Sequence, residues 1–188
     1  MKRNWDLEEL IDYFTFMPNE LRLIGNKTGE TRLGFAVILK FFRNEARFPN
    51  NKNEIPKAVI SYIAKQFKVS SELFSEYNIE SRSFYYHKSQ IREFFGFKES
   101  TVEESEVIIK NLFNHILSYD MEHDYLKEEI YKKFRELKID PPAIQRIERI
   151  INSNIYNQEN EFFNKIYRNL PKECLLNIDK LIAKSEEK

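Results

Sequence analysis

The spacing of apolar residues is the feature that most restricts what this chain can become. From Leu7 onward they recur three and four positions apart, and alternation with polar β-branched residues is almost absent. That period lines one stripe of a helix, whereas a strand would need a period of two. Only four glycines occur in 188 residues, so few positions are free for sharp reversals. The predicted fold class is all-α.

Local signals divide the chain into helices. Asp6 with Glu9 forms a predicted capping box ahead of Leu7, Leu10 and Ile11. Pro18 opens a short second helix through Leu21, Leu23 and Ile24. After a polar turn at Gly25–Glu30, Thr31 is expected to cap a long helix to about Ala46. Its core stripe is Phe35, Ile38, Leu39 and Phe42. Pro49–Ile55 reads as a loop, and Pro56 opens the next helix. Ser81–Phe95 follows and stops at Gly96, a residue suited to a C-terminal cap. Thr101 with Glu104 is a second capping box, before Val107–Tyr119. Further helices are expected at about Asp124–Leu137, Pro141–Asn154, Gln158–Asn169 and Pro171–Ala183, with a frayed SEEK tail. An acidic shift near Glu99–Glu106 marks the expected boundary between two small lobes, 1–100 and 101–188.

Each lobe contains a segment that resembles a helix-turn-helix. In Tyr62–Tyr77, Ile63, Ala64 and Phe67 stand at helical spacing, Val69 and Ser70 interrupt, and Leu73 and Phe74 restart the pattern. Lys68 occupies the turn, where such motifs often carry glycine. In LKEEIYKKFRELKIDPPAIQRIERII, Asp140 is the expected cap and Pro141 the first helical residue of the second element. Ile144, Ile147 and Ile151 form its stripe, leaving Gln145, Arg146 and Arg149 outside. Arg and Gln are able to make paired hydrogen bonds to purine edges. Two ordinary packed helices would look the same.

Charge and special residues narrow the function. Hydrophobic residues make up 41%, including 16 Phe and 10 Tyr, ample for a core. No run approaches the roughly 18 apolar residues of a membrane span, so no membrane partner is expected. The opening MKRNWDLEEL has acids where a signal peptide needs apolar residues. A single cysteine, Cys174, precludes an internal disulfide and suits a reducing cytoplasm; it reads as a small core residue beside Leu175 and Leu176. His87, His115 and His123 show no metal-ligand spacing with it. The glycines stand too far apart to cradle a phosphate. Hence no catalytic residues, metal or cofactor are predicted.

Net charge is zero, but Arg22–Lys98 holds 14 Lys/Arg against 7 Asp/Glu. A basic segment in a neutral chain fits a lobe that meets phosphates. On a helical wheel Arg32, Lys40, Arg43 and Arg47 fall within about 80° of one another, a strip suited to positioning on a phosphate backbone. Lys65, Gln66 and Lys68 extend the phosphate-facing set. On SRSFYYHKSQIREFFGF, the core side is Phe84, Ile91 and Phe95. The other side carries Arg82, Tyr85, Tyr86, Ser89, Gln90 and Arg92. Arg92, with Gln90 and Ser89, and Arg146 and Arg149, with Gln145, are assigned to base edges or groove walls. His87 falls at the core edge as a structural hydrogen-bonding residue.

The ordered set Arg32-Leu33-Gly34-Phe35-Ala36, Arg47-Phe48-Pro49, Pro56, Ile63-Ala64 with Gln66, Tyr77, Arg82, His87, Ile91-Arg92 and Gly96-Phe97-Lys98 resembles the N-terminal region of Tn-three-family transposases. These are large bacterial enzymes of replicative transposons. The resemblance covers about 15–100 and continues more weakly to about 155 through ELKIDPPAIQRIERII. It implies a helical region that binds duplex DNA at the terminal inverted repeats, with Lys98 added to the contact set. It also implies a DDE-type catalytic domain far downstream and absent here, and partnership with the rest of the transposase chain. A homodimer of the full-length protein and a cytoplasmic, nucleoid-associated location belong to the same implication. A departure is Glu45-Ala46-Arg47, where the family more often has Gly; Ala46 is expected to stay helical and delay the loop. The reading from another class is a protein-interaction module that assembles the transposase dimer, for which Phe162, Phe163, Ile166 and Tyr167 are the motivating residues.

Overall fold

The computed structural model describes residues 1–115 and 123–178. Its helices in chain order are α1 (Leu7–Phe14), α2 (Pro18–Ile24), α3 (Gly29–Glu45), α4 (Lys57–Gln66), α5 (Leu73–Glu76), α6 (Arg82–Phe95), α7 (Val102–His115), α8 (His123–Glu136) and α9 (Ile144–Asn169). A two-residue strand β1 (Lys98–Glu99) pairs in parallel with β2 (Ile139–Asp140), matching Lys98 to Ile139 and Glu99 to Asp140. Residues 172–178 are again helical. The all-α expectation holds.

Helix α3 is buried without a break from Leu33 to Phe42. A helix apolar on one stripe lies on a surface, whereas one enclosed on every side is central. Helices α1, α2, α4, α5 and α6 all pack against it. A second core joins α7, α8 and α9 through Ile109, Phe113, Ile130, Phe134, Ile147 and Ile151.

Sequence signals for helix starts succeed where a side chain supplies the cap. Asp6 accepts from the Glu9 N–H at 2.8 Å while Glu9 returns to the Asp6 N–H, the expected box. Ser81 accepts from the Phe84 N–H at 3.2 Å, and Gly96 closes α6 in the left-handed region at φ 70°. Thr101 accepts from the Glu104 N–H at 3.1 Å, so α7 starts at Val102, earlier than expected. The remainder of the helix expected to reach Tyr119, and the tail beyond 178, lie outside the described residues.

Six expectations are corrected. Helix α3 starts at Gly29, with Thr28 at the cap position, while the Thr31 hydroxyl bonds the Glu30 carboxylate instead. Ala46 is left-handed at φ 52° and terminates α3, so it takes the conformation for which the family more often supplies glycine. Tyr62–Tyr77 is a helix, a turn with Lys68 at φ 55°, and one further helical turn of four residues. It is therefore not a pair of full helices. In the second lobe Asp140 and Pro141 precede the helix, because Asp140 is drawn into β2 and Ala143 becomes the cap residue. From there α9 runs for 26 residues with no break at 155–157. Cys174, expected in a core, is exposed.

Gly34 has a specific task. A Cβ built there would lie 2.1 Å from Tyr77 Cγ, so the ring rests directly on the α3 backbone. A mid-helix glycine costs about 1 kcal/mol relative to alanine, and this close approach is what offsets it. Tyr77 Oη then lies 2.7 Å from His87 Nδ1 on α6, and Phe35 meets the His87 ring edge-on at 4.9 Å. Burial keeps the Tyr77 phenol protonated, well above its ordinary range, so it is able to donate to the bare Nδ1 of a neutral imidazole. Burial, with Lys27 as a lesser cause, pushes His87 down to about 4.

Two outcomes follow from that cluster. Gly34→Ala is expected to lose about 1–3 kcal/mol, because the added methyl has no room; an unchanged urea midpoint would show that Tyr77 moves aside freely. Between about pH 6.5 and 4 the unfolded chain binds a proton at His87 that the folded chain refuses. Stability from this residue is therefore complete above that window and lost as pH falls through it, by at most about 3 kcal/mol. His87→Gln should flatten the acid limb of a Tm–pH profile relative to the unaltered chain, and parallel profiles would contradict the assignment.

Candidate nucleic-acid interface

The basic strip read on α3 is not a free strip. Lys40 is fully buried; its Nζ donates to Glu20 Oε2 at 2.7 Å and to the Thr15 carbonyl at 2.7 Å, above the Phe16 ring. Burial lowers its pKa, against which the Glu20 hydrogen bond pulls it back up. Arg43 donates to the other Glu20 oxygen at 3.1 Å. Lys40 and Arg43 share one carboxylate, Glu20 of α2, and Arg47 lies beyond the end of α3, so the four do not form one strip on that helix.

The remaining two members are also engaged. Arg32 lies over the Phe67 ring at 4.7 Å. Arg47 pairs with Glu54 at 2.7 Å, donates to the Phe48 carbonyl at 3.2 Å, and sits between the rings of Phe41 and Tyr131. Burial would raise the Glu54 carboxyl, yet the hydrogen bonds from Arg47 and Asn50 hold it below the usual carboxylate range.

Gln66, assigned to phosphate, instead ties α4 to the end of α1. It donates to the Phe14 carbonyl at 3.0 Å and accepts from the Phe16 N–H at 3.3 Å. Its neighbours Lys65 and Lys68 are exposed, with no side-chain hydrogen bond or ion pair among the described residues.

Helix α6 presents the clearest outward face. Phe84, His87 and Ile91 point into the core, while Arg82, Tyr85, Tyr86 and Ser89 are exposed, both tyrosines at 63%. Gln90 donates to Tyr86 Oη at 3.3 Å, which steadies that ring. Arg92 leaves this face. It donates from Nη1 to Asp140 at 3.0 Å and from Nη2 to Glu99 at 2.9 Å, bracing α6 against β1 and β2. Burial raises the Asp140 carboxyl, with Lys88 and Arg92 opposing that shift. Arg92 thus links helix α6 of the first core cluster to β1 and β2, a role the sequence alone did not signal.

In the second lobe, Gln145 and Arg149 are exposed on the first turns of α9, opposite buried Ile147 and Ile151. Arg146 lies beside them but pairs with Glu106 on α7 at 3.1 Å. Lys98 is exposed and pairs with Glu104. The candidate interface that the structure leaves open is therefore Lys65, Lys68, Arg82, Tyr85, Ser89, Gln145 and Arg149. Among the described residues no helix is long and apolar enough to cross a membrane.

The family model described as "Domain of unknown function (DUF4158)" matches residues 1–153, and the chain belongs to that family. It is similar to the transposase for transposon Tn1546 of Enterococcus faecium, at 30% identity over 162 residues, which covers 86% of this chain and 16% of that protein. The transposase for transposon Tn3926 of Escherichia coli is 29% identical over 143 residues, covering 76% of this chain and 14% of its own. The transposase for transposon Tn2501 of Escherichia coli is 26% identical over 159 residues, covering 83% and 16%. These relatives bear out the Tn-three-family resemblance, and the chain spans about one sixth of their length.

The buried Lys40 contact has a measurable weight. Lys40→Ala should cost about 3–5 kcal/mol in urea unfolding, since it strips a partner from a buried carboxylate. A loss below about 1 kcal/mol would mean that Arg43 alone satisfies Glu20.

Proposed function

We propose that this chain is the DNA-binding N-terminal region of a Tn-three-family transposase and that it recognises duplex DNA at the transposon's terminal inverted repeats. The observation that carries the reading is the set of side chains left without internal partners. While Lys40, Arg47, Arg92 and Arg146 are tied to carboxylates, Arg82 on α6 and Arg149 on α9 stay exposed, each on the same helix face as a hydrogen-bonding side chain, Ser89 and Gln145 respectively. Lys65 and Lys68 are suited to phosphate, which positions without reading; Arg82, Arg149 and Gln145 are suited to base edges. Cutting and joining of strands then belong to a catalytic domain elsewhere in such transposases, and this chain performs neither.

A second reading has its own support. Beyond Ile155 the side chains of α9 leave the core, with Tyr156 65%, Phe163 63% and Tyr167 62% exposed. Exposed apolar residues along one helix suit contact with other protein. An assembly module would use this helix and touch DNA only incidentally.

Titration of the chain with its element's terminal repeat and with scrambled duplex, across salt, separates the two. Preference for the repeat, with affinity falling steeply as counterions compete, is expected. Arg149→Ala should cost about 1–3 kcal/mol on the repeat and little on scrambled duplex. Equal affinity for both duplexes would leave only non-specific binding, and no binding to either would favour assembly.

A further inference from the structure

A groove of about 1220 Å³ is bounded by the N-terminal segment, the 50–56 loop, the start of α4, the α5 turn, Tyr131 of α8 and Ile144 of α9. No residue of the outward α6 face lines it. Its charge is uneven. Arg47 and Glu54 neutralise each other, which leaves Arg3, Lys52 and Lys57 against Glu72. The side chains of Arg3 and Lys57 are exposed and make no hydrogen bond or ion pair among the described residues. Lys52 is partly engaged, donating to the Ser75 carbonyl at 2.7 Å. Asn53 and Ser61 add uncharged polar groups to the wall.

Lys57 also breaks a local rule. It is the first residue of α4, where the helix dipole disfavours a cation, and that first turn has no acid and no side-chain cap. Helix α9, whose first residue Ile144 reaches the same groove, likewise has neither. By contrast α1 and α6 have side-chain caps, and α3 and α8 carry acids in their first turns. Positions that break local preferences without a structural return are where function is to be sought. Positive side chains from three separate segments, in a trough open to solvent, fit a run of phosphates better than a single small anion.

We propose that this groove seats a sugar-phosphate strand of duplex DNA, with Arg3, Lys52 and Lys57 as its phosphate contacts. The proposal rests on the DNA-binding reading above and adds a surface separate from the α6 face. The groove positions; it does not read sequence.

The test is a salt series on the 188-residue chain, with Arg3→Gln/Lys57→Gln compared with the unaltered protein on repeat and scrambled duplex. Lys57→Gln removes a charge opposed by the dipole, so the fold is not put at risk, and an unchanged Tm verifies it. The double variant should bind both duplexes several-fold more weakly and lower the slope of log K against log salt by about two. An unchanged slope, with repeat binding by the unaltered protein intact, overturns the groove and leaves the DNA-binding reading standing. Loss of repeat preference with scrambled binding unaffected also overturns it, since that is base reading. No binding by the unaltered protein refutes the underlying reading and the groove with it. Phosphate-ethylation interference gives the same decision independently: the modified phosphates that block the unaltered chain should lose their effect in the double variant, and an identical pattern counts against the groove.

Discussion

A missing side chain organises the first lobe. Because Gly34 has no Cβ, the Tyr77 ring lies on the backbone of the central helix α3, and that seat brings the phenol to His87 of α6. The phenol fixes His87 at 2.7 Å, and His87, held between Tyr77 and Phe35, orients α6. Arg92, five residues on from His87, then carries the same orientation across to Asp140 and Glu99. Four residues after Asp140, α9 begins. The two outward helix faces are thus linked by one chain of contacts that starts at a glycine.

Charge is used twice in this protein, and the two uses compete for the same residues. A basic segment of 14 Lys/Arg against 7 Asp/Glu suggests a surface for anions. The folded chain instead ties four of those cations to carboxylates: Lys40 and Arg43 share Glu20, Arg47 takes Glu54, and Arg92 takes Asp140. Buried pairs of this kind add little net stability compared with apolar packing, but breaking one leaves a costly orphan. Their effect is to fix which helix lies against which. Of that segment's other cations, Lys65 and Lys68 on and after α4 and Arg82 on α6 stay exposed, without an ion pair among the described residues.

Legibility followed the range of the interactions. Caps at Asp6, Thr101 and Gly96 depend on residues within four positions, and each was readable. The apolar period identified α3 and its core residues, because packing and period are the same fact seen twice. What failed depended on distant partners. The wheel put Lys40 on a basic strip, yet nothing near it in sequence announces Glu20, twenty residues away. Asp140 had the composition of a cap, but its partner is Arg92, at a separation of 48. Ala46 and Lys68 adopt left-handed conformations that a sequence reader assigns to glycine.

The strut at Arg92 bears on how the proposed interface would work. Two weak contacts on one rigid body bind as a single strong one only when their separation matches the target. Helix α6 and the start of α9 belong to different cores, so packing within either core leaves their mutual spacing free. The β1–β2 pair, the Arg92 bridge, the contact of Arg47 with the Tyr131 ring and the hydrogen bond from Arg135 to the Glu45 carbonyl at 3.1 Å act against that freedom. Because Arg92 is planar and divides its two nitrogens between Asp140 and Glu99, it resists rotation as well as separation, which a lysine ammonium would not. The residue that looked like a reader of bases is better placed to set the distance between the readers.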